Sequence, residues 1–318
     1  MPTAFSTVGG RPRAVTGIRR DSHGAAQSLE AAIPDGDTVG VHIEGSGSVR
    51  FLGIDTPEKA FDIEGQGRPA LDSPKWDAYL TNPLDPALGL FQLESGLAAH
   101  LAARFAPGAG RNHHAHGIRA QQTLSGLVNG DIAAMGQAPA DFRFYLAFAF
   151  EVFDAYGRFL AFINRNQPDP NTPGPRPLSY NERMLEAGAA MAYFIWPNID
   201  PFRSQSILDA VIAPGRARET ADASPALRRA RELVKQARAA GIGIFDTADP
   251  LRFEAFEVRY LGRREPPSRA VIDLSSDSDV LLRPQSYHKI PNSEDRLFIP
   301  SAFVPLFAAK GWKLEGWF

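Results

Sequence analysis

The chain of 318 residues contains no cysteine. Disulfides and thiolate metal sites are thereby excluded, and oxygen and imidazole remain as ligands for any metal ion. No apolar run approaches the roughly 18 residues that cross a bilayer. Met1 to Arg20 mixes arginines and glycines with polar residues and carries no hydrophobic signal segment. The expectation is a cytoplasmic protein without a membrane segment, with secretion as the alternative. Strong charge of either sign is also missing. With 34 basic and 36 acidic side chains the net charge is -2, which is not the balance of a tight nucleic-acid binder. Lysine is scarce, and the basic charge is mostly arginine. Affinity for a polyanion would have to come from a local patch together with a metal ion.

What is present is 44% hydrophobic residues, ample for a core, in a chain longer than one average domain. Pro34-Asp35-Gly36-Asp37-Thr38 leads into Val39 to Glu44, then Gly45 to Ser48, then Val49 to Asp55, which reads as strand, tight turn and strand. With the turn centred on Ser46 and Gly47, Thr38 faces Asp55 and Asp37 faces Thr56. Opposed side chains lie about 5 Å apart, and two carboxylates that close repel each other. A hard divalent cation with oxygen ligands relieves that repulsion most simply. Glu58 hangs over the same end beyond Pro57, placed for general-base work on a water. Arg50 would stand roughly 16 Å from Asp55 on a straight strand, so a bulge or sharp bend is expected at Gly53. A cation, a free carboxylate and an arginine together suit phosphodiester hydrolysis.

The ordered set Asp35-Gly36-Asp37-Thr38, Arg50 and Asp55-Thr56-Pro57-Glu58 resembles the staphylococcal nuclease (thermonuclease) family. The second arginine of that family sits in a tripeptide found here as Tyr156-Gly157-Arg158. Tyr180-Asn181-Glu182 to Gly188, followed by Ala192-Tyr193 and Pro197-Asn198, resembles its helix and the tyrosine-bearing loop after it. The resemblance covers about residues 28–246. It implies an α+β fold: a five-stranded OB-type β-barrel with about three helices. It also implies a calcium-dependent nuclease that hydrolyses DNA or RNA with little sequence preference and leaves 3′-phosphates. In that scheme Asp37, Asp55 and the Thr56 carbonyl hold the Ca2+, Glu58 activates or orients the water, and Arg50 and Arg158 neutralise charge at phosphorus. Tyr193 would line the nucleotide subsite; the second tyrosine of the loop is replaced by Ile195, with Trp196 beside it to stack on a base. Ala155 stands where many members carry a lysine. The rival from another class is a non-catalytic OB-fold module that binds nucleic acid or protein.

The remaining chain frames this domain. Residues 1–27, rich in Gly, Arg and Ser, read as a flexible arm. An insertion at about 60–140 is expected to hold a helix over Phe91 to Ala106 and a second over Ile118 to Met135. Between them His113, His114 and His116 lie beside Pro107-Gly108 and read as a solvated loop. Phe142 to Phe153 and Phe159 to Ile163 form a hairpin, and Ser224-Pro225 starts a helix that runs to Ala240. Residues 247–318 read as a β-rich extension packed on the nuclease domain, with strands at Phe253 to Tyr260, Ala270 to Leu274 and Val280 to Leu282. Asp273 to Asp279 reads as an acidic turn.

Overall fold

The computed structural model describes the chain except residues 1–4, 9–10, 15, 22, 34–40, 44–46, 203–204 and 317–318. It is a mixed α+β structure in two units, Met1–Arg50 with Glu151–Ala161, and Phe51–Phe150 with Phe162–Phe318. In the first unit, strands β1 (Phe5–Val8) and β2 (Arg11–Ala14) pair antiparallel, as do β3 (Thr16–Ile18) and β4 (Val41–Ile43). A helical turn α1 (Leu29–Ala32) lies between β3 and β4. Within the span read as an arm, the described residues thus carry three strands, too short to show a period in sequence. The turn expected at Gly45 to Ser48 and the motif Asp35 to Thr38 fall wholly or partly outside the described residues.

Strand β5 (Val49–Phe51) is followed by Gly53, whose φ of +75° makes the expected bend, and then by β6 (Gly53–Asp55). In the second unit β6 is the edge of a four-stranded sheet that continues through β9 (Met191–Ile195) and β12 (Arg296–Ile299) to β10 (Ala270–Asp273). Gly53 pairs with Tyr193 and Asp55 with Met191. β9 and β12 run parallel, and β10 and β12 antiparallel. Two strands of this sheet thus come from residues 247–318. The C-terminal segment is part of the same sheet as the Asp55 strand and is no separate addition. A further sheet orders β5, β8 (Phe159–Arg165) and β7 (Phe144–Phe153), the expected hairpin.

The helices begin and end where their caps dictate. Ser179 and Glu182 form a reciprocal capping box on α5 (Tyr180–Glu186). Ser224 Oγ accepts from Leu227 N at the start of α7 (Pro225–Ala239). Leu227, Leu233 and Val234 on α7 pack with Ile54, Phe194 and Leu185 in one core. A second core joins Leu71, Trp76, Leu97 and Leu101 of the insertion to Phe253, Val258, Leu261 and Tyr287 of the C-terminal segment. The insertion supplies α2 (Pro74–Thr81), α3 (Ser95–Ala102) and α4 (Ala109–Met135). No helix of the described residues is long and apolar enough to cross a membrane.

Two expectations are corrected. α4 starts at Ala109, so His113 and His116 lie within it and are buried. The glycines that read as loop are points of close approach. A Cβ on Gly110 would stand 2.3 Å from the Leu71 carbonyl oxygen, and one on Gly117 2.9 Å from that of Pro57. Second, Phe253 to Tyr260 is no strand: α8 (Ala255–Arg263) follows a Glu254/Glu257 capping box. Seven of its residues, Ala255 to Val258 and Tyr260 to Gly262, are buried. Phe256, Val258 and Tyr260 alternate with the charged Glu257 and Arg259, and over so short a run that alternation mimics a strand. Two glycines of α4 make a direct test by urea denaturation. Gly110→Ala should destabilise the fold by about 1–3 kcal/mol through overpacking, whereas exposed Gly126→Ala, with open space around it, should stabilise it by about 0.4–1 kcal/mol.

Candidate active site

The end of β6 buries a charge. Ile54 points into the core while Asp55, the last residue of the strand, is only 3% exposed. An isolated carboxylate there would cost several kcal/mol in desolvation, so it requires a partner. That partner is Arg259 of α8. Its Nη1 donates to Asp55 Oδ1 at 3.0 Å and its Nη2 to Asp55 Oδ2 at 2.6 Å, a two-pronged pair. The same Nη1 donates to Glu58 Oε1 at 3.0 Å, so one guanidinium gathers both acids. Burial works against the Arg259 charge, but Asp55 and then Glu58 outweigh it and push its pKa above the usual arginine range.

Behind the pair stands His113 of α4, fully buried. Its Nε2 accepts from the Glu58 backbone N–H at 2.9 Å, which fixes the turn after Pro57 and places the ring proton on Nδ1. Nδ1 lacks a well-formed hydrogen bond and has the Phe253 carbonyl as its nearby acceptor. Burial pushes the imidazole pKa down to about 3, against the pull of the Asp55 charge. His113 is therefore neutral and acts as an acceptor, not as an acid. His116, one turn on, bonds the Asp249 carbonyl oxygen at 2.9 Å.

The sequence-expected residues divide sharply. Asp55 and Glu58 are brought together on one cation. Thr56 is half-buried between them. Asp37 lies outside the described residues. Arg50, half-buried on β5, and Arg158 belong to the first unit. Arg158 is held in its own turn, where Nε donates to Asp154 Oδ2 at 2.7 Å and its guanidinium sits 5.4 Å from the Tyr156 ring centre. Asp154 also caps the turn by accepting from the backbone N–H groups of Tyr156 and Arg158.

Comparison with known families, curated proteins and solved structures finds no match. The resemblance to the staphylococcal nuclease family therefore rests on the order of the motif residues. Two assignments drawn from it do not suit the placement of their side chains. Trp196 is fully buried, its Nε1 donates to the Ala210 carbonyl at 3.1 Å, and Phe303 and Phe307 meet it edge-on. It is closed to a stacking base. Tyr193 is buried as well, stacked on Phe256 at 5.4 Å with its hydroxyl accepting from Arg269.

The metal assignment is tested by the donors themselves. Among the described residues no group of three or more His, Asp or Glu side chains is arranged to hold a metal ion. Both Asp55 oxygens carry a guanidinium N–H. The described residues do not fit a calcium ion as they stand; a cation at Asp55 would have to take over the contacts of Arg259.

Arg259 and His113 were missed in sequence. A helical reading of 109–117 would have put His113 and His116 on one face, and a helical reading of 255–263 would have aligned Arg259 with Phe256 and Arg263. Two outcomes follow. Arg259→Ala should cost about 3–5 kcal/mol in chemical denaturation, because it removes the guanidinium that holds both oxygens of the buried Asp55 carboxylate, and adding Asp55→Asn should recover part of that loss. His113, whose pKa falls from 6.5 unfolded to about 3 folded, should make stability decline as pH drops between those values. The unfolded chain takes up a proton there that the folded chain refuses, at up to about 1.4 kcal/mol per pH unit. Comparing the pH–stability curve with that of His113→Gln isolates this component, and equal slopes below pH 6 would refute it.

Proposed function

We propose that the chain hydrolyses phosphodiester bonds of DNA or RNA with low sequence preference. The observation that carries this reading is the gathering of Asp55 and Glu58, three residues apart across Pro57, at the end of a strand bent at Gly53. Two acids so close together support the roles that the resemblance gives to Asp55 and Glu58. Glu58 keeps 22% of its side chain exposed, so one carboxylate oxygen can face a water while Arg259 fixes the other. A carboxylate so positioned orients the water and accepts its proton as the oxygen approaches phosphorus. Asp55, too buried for that task, sets the position of Arg259 and through it that of Glu58.

The roles of Arg50 and Arg158 rest on the resemblance: neutralising charge on the phosphoryl oxygens and on the leaving oxygen. So do the OB-type barrel, the 3′-phosphate product and calcium as cofactor. The small net charge fits weak, salt-sensitive substrate binding.

A second reading has an observation of its own. Because Arg259 occupies both oxygens of Asp55 and one of Glu58, one of the two negative charges is already offset as in a structural ion pair. That favours a non-catalytic module for nucleic acid or protein. Cleavage of labelled single-stranded DNA, duplex DNA and RNA, titrated with calcium and reversed by EGTA, separates the two. Glu58→Gln and Arg158→Ala should each lose at least about a hundredfold in turnover, on the order of 3 kcal/mol of transition-state stabilisation, with the fold intact. Nucleic-acid binding without cleavage at any calcium concentration would establish the module instead, and undiminished turnover in either variant would end the assignment.

A further inference from the structure

The second unit contains a cavity of about 360 Å³ that neither acid nor His113 lines. Its walls are apolar: Ile54 of β6, Phe162 of β8, Leu185 of α5, Phe194 of β9 and Leu227 of α7. On the scale on which a cavity of about 150 Å³ takes up benzene, it has room for an apolar body on the order of ten carbons. The polar groups within it are already satisfied by the protein. Asn181 accepts from Ile163 N and donates to the Leu52 carbonyl at 2.8 Å. Asn164 donates to the Pro177 carbonyl and accepts from Arg165 N, at 2.9 Å each. Glu182 is taken by the N-cap Ser179 and by Arg229. The interior therefore offers little to a polar ligand.

The rim is different. It carries Arg176, Arg229 and Glu182, two positive groups against one negative. Arg229 is paired with Glu182, whereas the Arg176 guanidinium donates to the Gln167 backbone carbonyl and has no carboxylate partner among the described residues. An unneutralised guanidinium at the mouth of an apolar cavity suits an anionic head group. At the same mouth Phe202 is 64% exposed and holds a φ of +55°, with Tyr145, also exposed, 6.2 Å away ring to ring. A bulky residue in the left-handed region is strained, and such strain collects at ligand sites. Two open aromatic rings there would cover the apolar body of a guest and lose water in doing so.

We propose that this cavity is a binding site for a small amphiphilic carboxylate, its chain between β6, β8, α5 and α7 and its head group on Arg176. The site is separate from the hydrolytic reading and survives its failure, because it is read by binding alone. The probe is sodium decanoate, titrated below its micellar range into the full-length protein by calorimetry. Decyltrimethylammonium serves as the counterpart of equal chain length and opposite charge. Decanoate should bind saturably at one site, at least tenfold more tightly than the cation. Arg176→Gln, at an exposed position where the fold should stand, should lower decanoate affinity at least tenfold, with Arg176→Lys restoring most of it. Ala226→Trp, which fills the cavity from α7, should abolish binding, and if that variant does not fold the Arg176 pair decides. Absence of saturable decanoate binding, equal affinity for the two amphiphiles, or undiminished affinity in Arg176→Gln would each overturn the proposal.

Discussion

The site depends on a single guanidinium. Arg259 makes three hydrogen bonds to Asp55 and Glu58, across some two hundred residues of chain. The buried, ionised Asp55 carboxylate is held at both oxygens by it, and the Arg259 charge is in turn offset by Asp55. The low local dielectric that makes each group costly alone makes the pair hold its geometry. Through this contact helix α8 fixes the two acids of the β6 turn, and any cation seeking Asp55 meets a competitor already in place.

The same helix is held on its other side by a second buried network. Glu257, fully buried, would be driven up in pKa by that burial. The nearby His100 ring, 3.5 Å away, the charge of Arg104 and a hydrogen bond from Tyr287 outweigh it and hold the carboxyl at about 2. Glu254, one turn earlier, pairs with Arg296 at 2.6 Å, and there burial wins and raises its pKa. Arg104 and His100 come from the insertion, Arg296 and Tyr287 from the C-terminal segment. The segments that looked like additions to a nuclease domain thus clamp the helix that positions Arg259. On the opposite face of the insertion, α4 brings His113 under the Glu58 amide because Gly110 and Gly117 let it approach the backbone at Leu71 and Pro57.

Much of this was legible from local signals. Ser224-Pro225 and Ser179 with Glu182 mark helix starts because a side-chain oxygen meets an orphan backbone N–H within three residues. Gly53 announces a bend because it takes a positive φ without strain. Asp154 and Gly157 announce the turn that carries Arg158. Where expectation failed, the deciding partner was far away. Phe253 to Tyr260 alternates like a strand, yet it is a helix covered on nearly every side. Trp196 and Tyr193 sit where the resemblance puts substrate-facing residues, but Phe303, Phe307, Phe256 and Phe298 of the C-terminal segment enclose them.

The sequence by itself determined the chemical inventory. It has no thiol, an ordered run of acids and arginines, and the caps and turns that place Asp55 and Glu58 at the end of a bent strand. Those features are set by bonded neighbours a few residues apart, so they can be read without knowing the fold. Only the tertiary structure decided which cation gathers those acids, that His113 and His116 are buried support, and that residues 247–318 contribute strands to the sheet of the site strand. Those outcomes turn on desolvation, which charges any buried group for the absence of a partner wherever along the chain that partner lies.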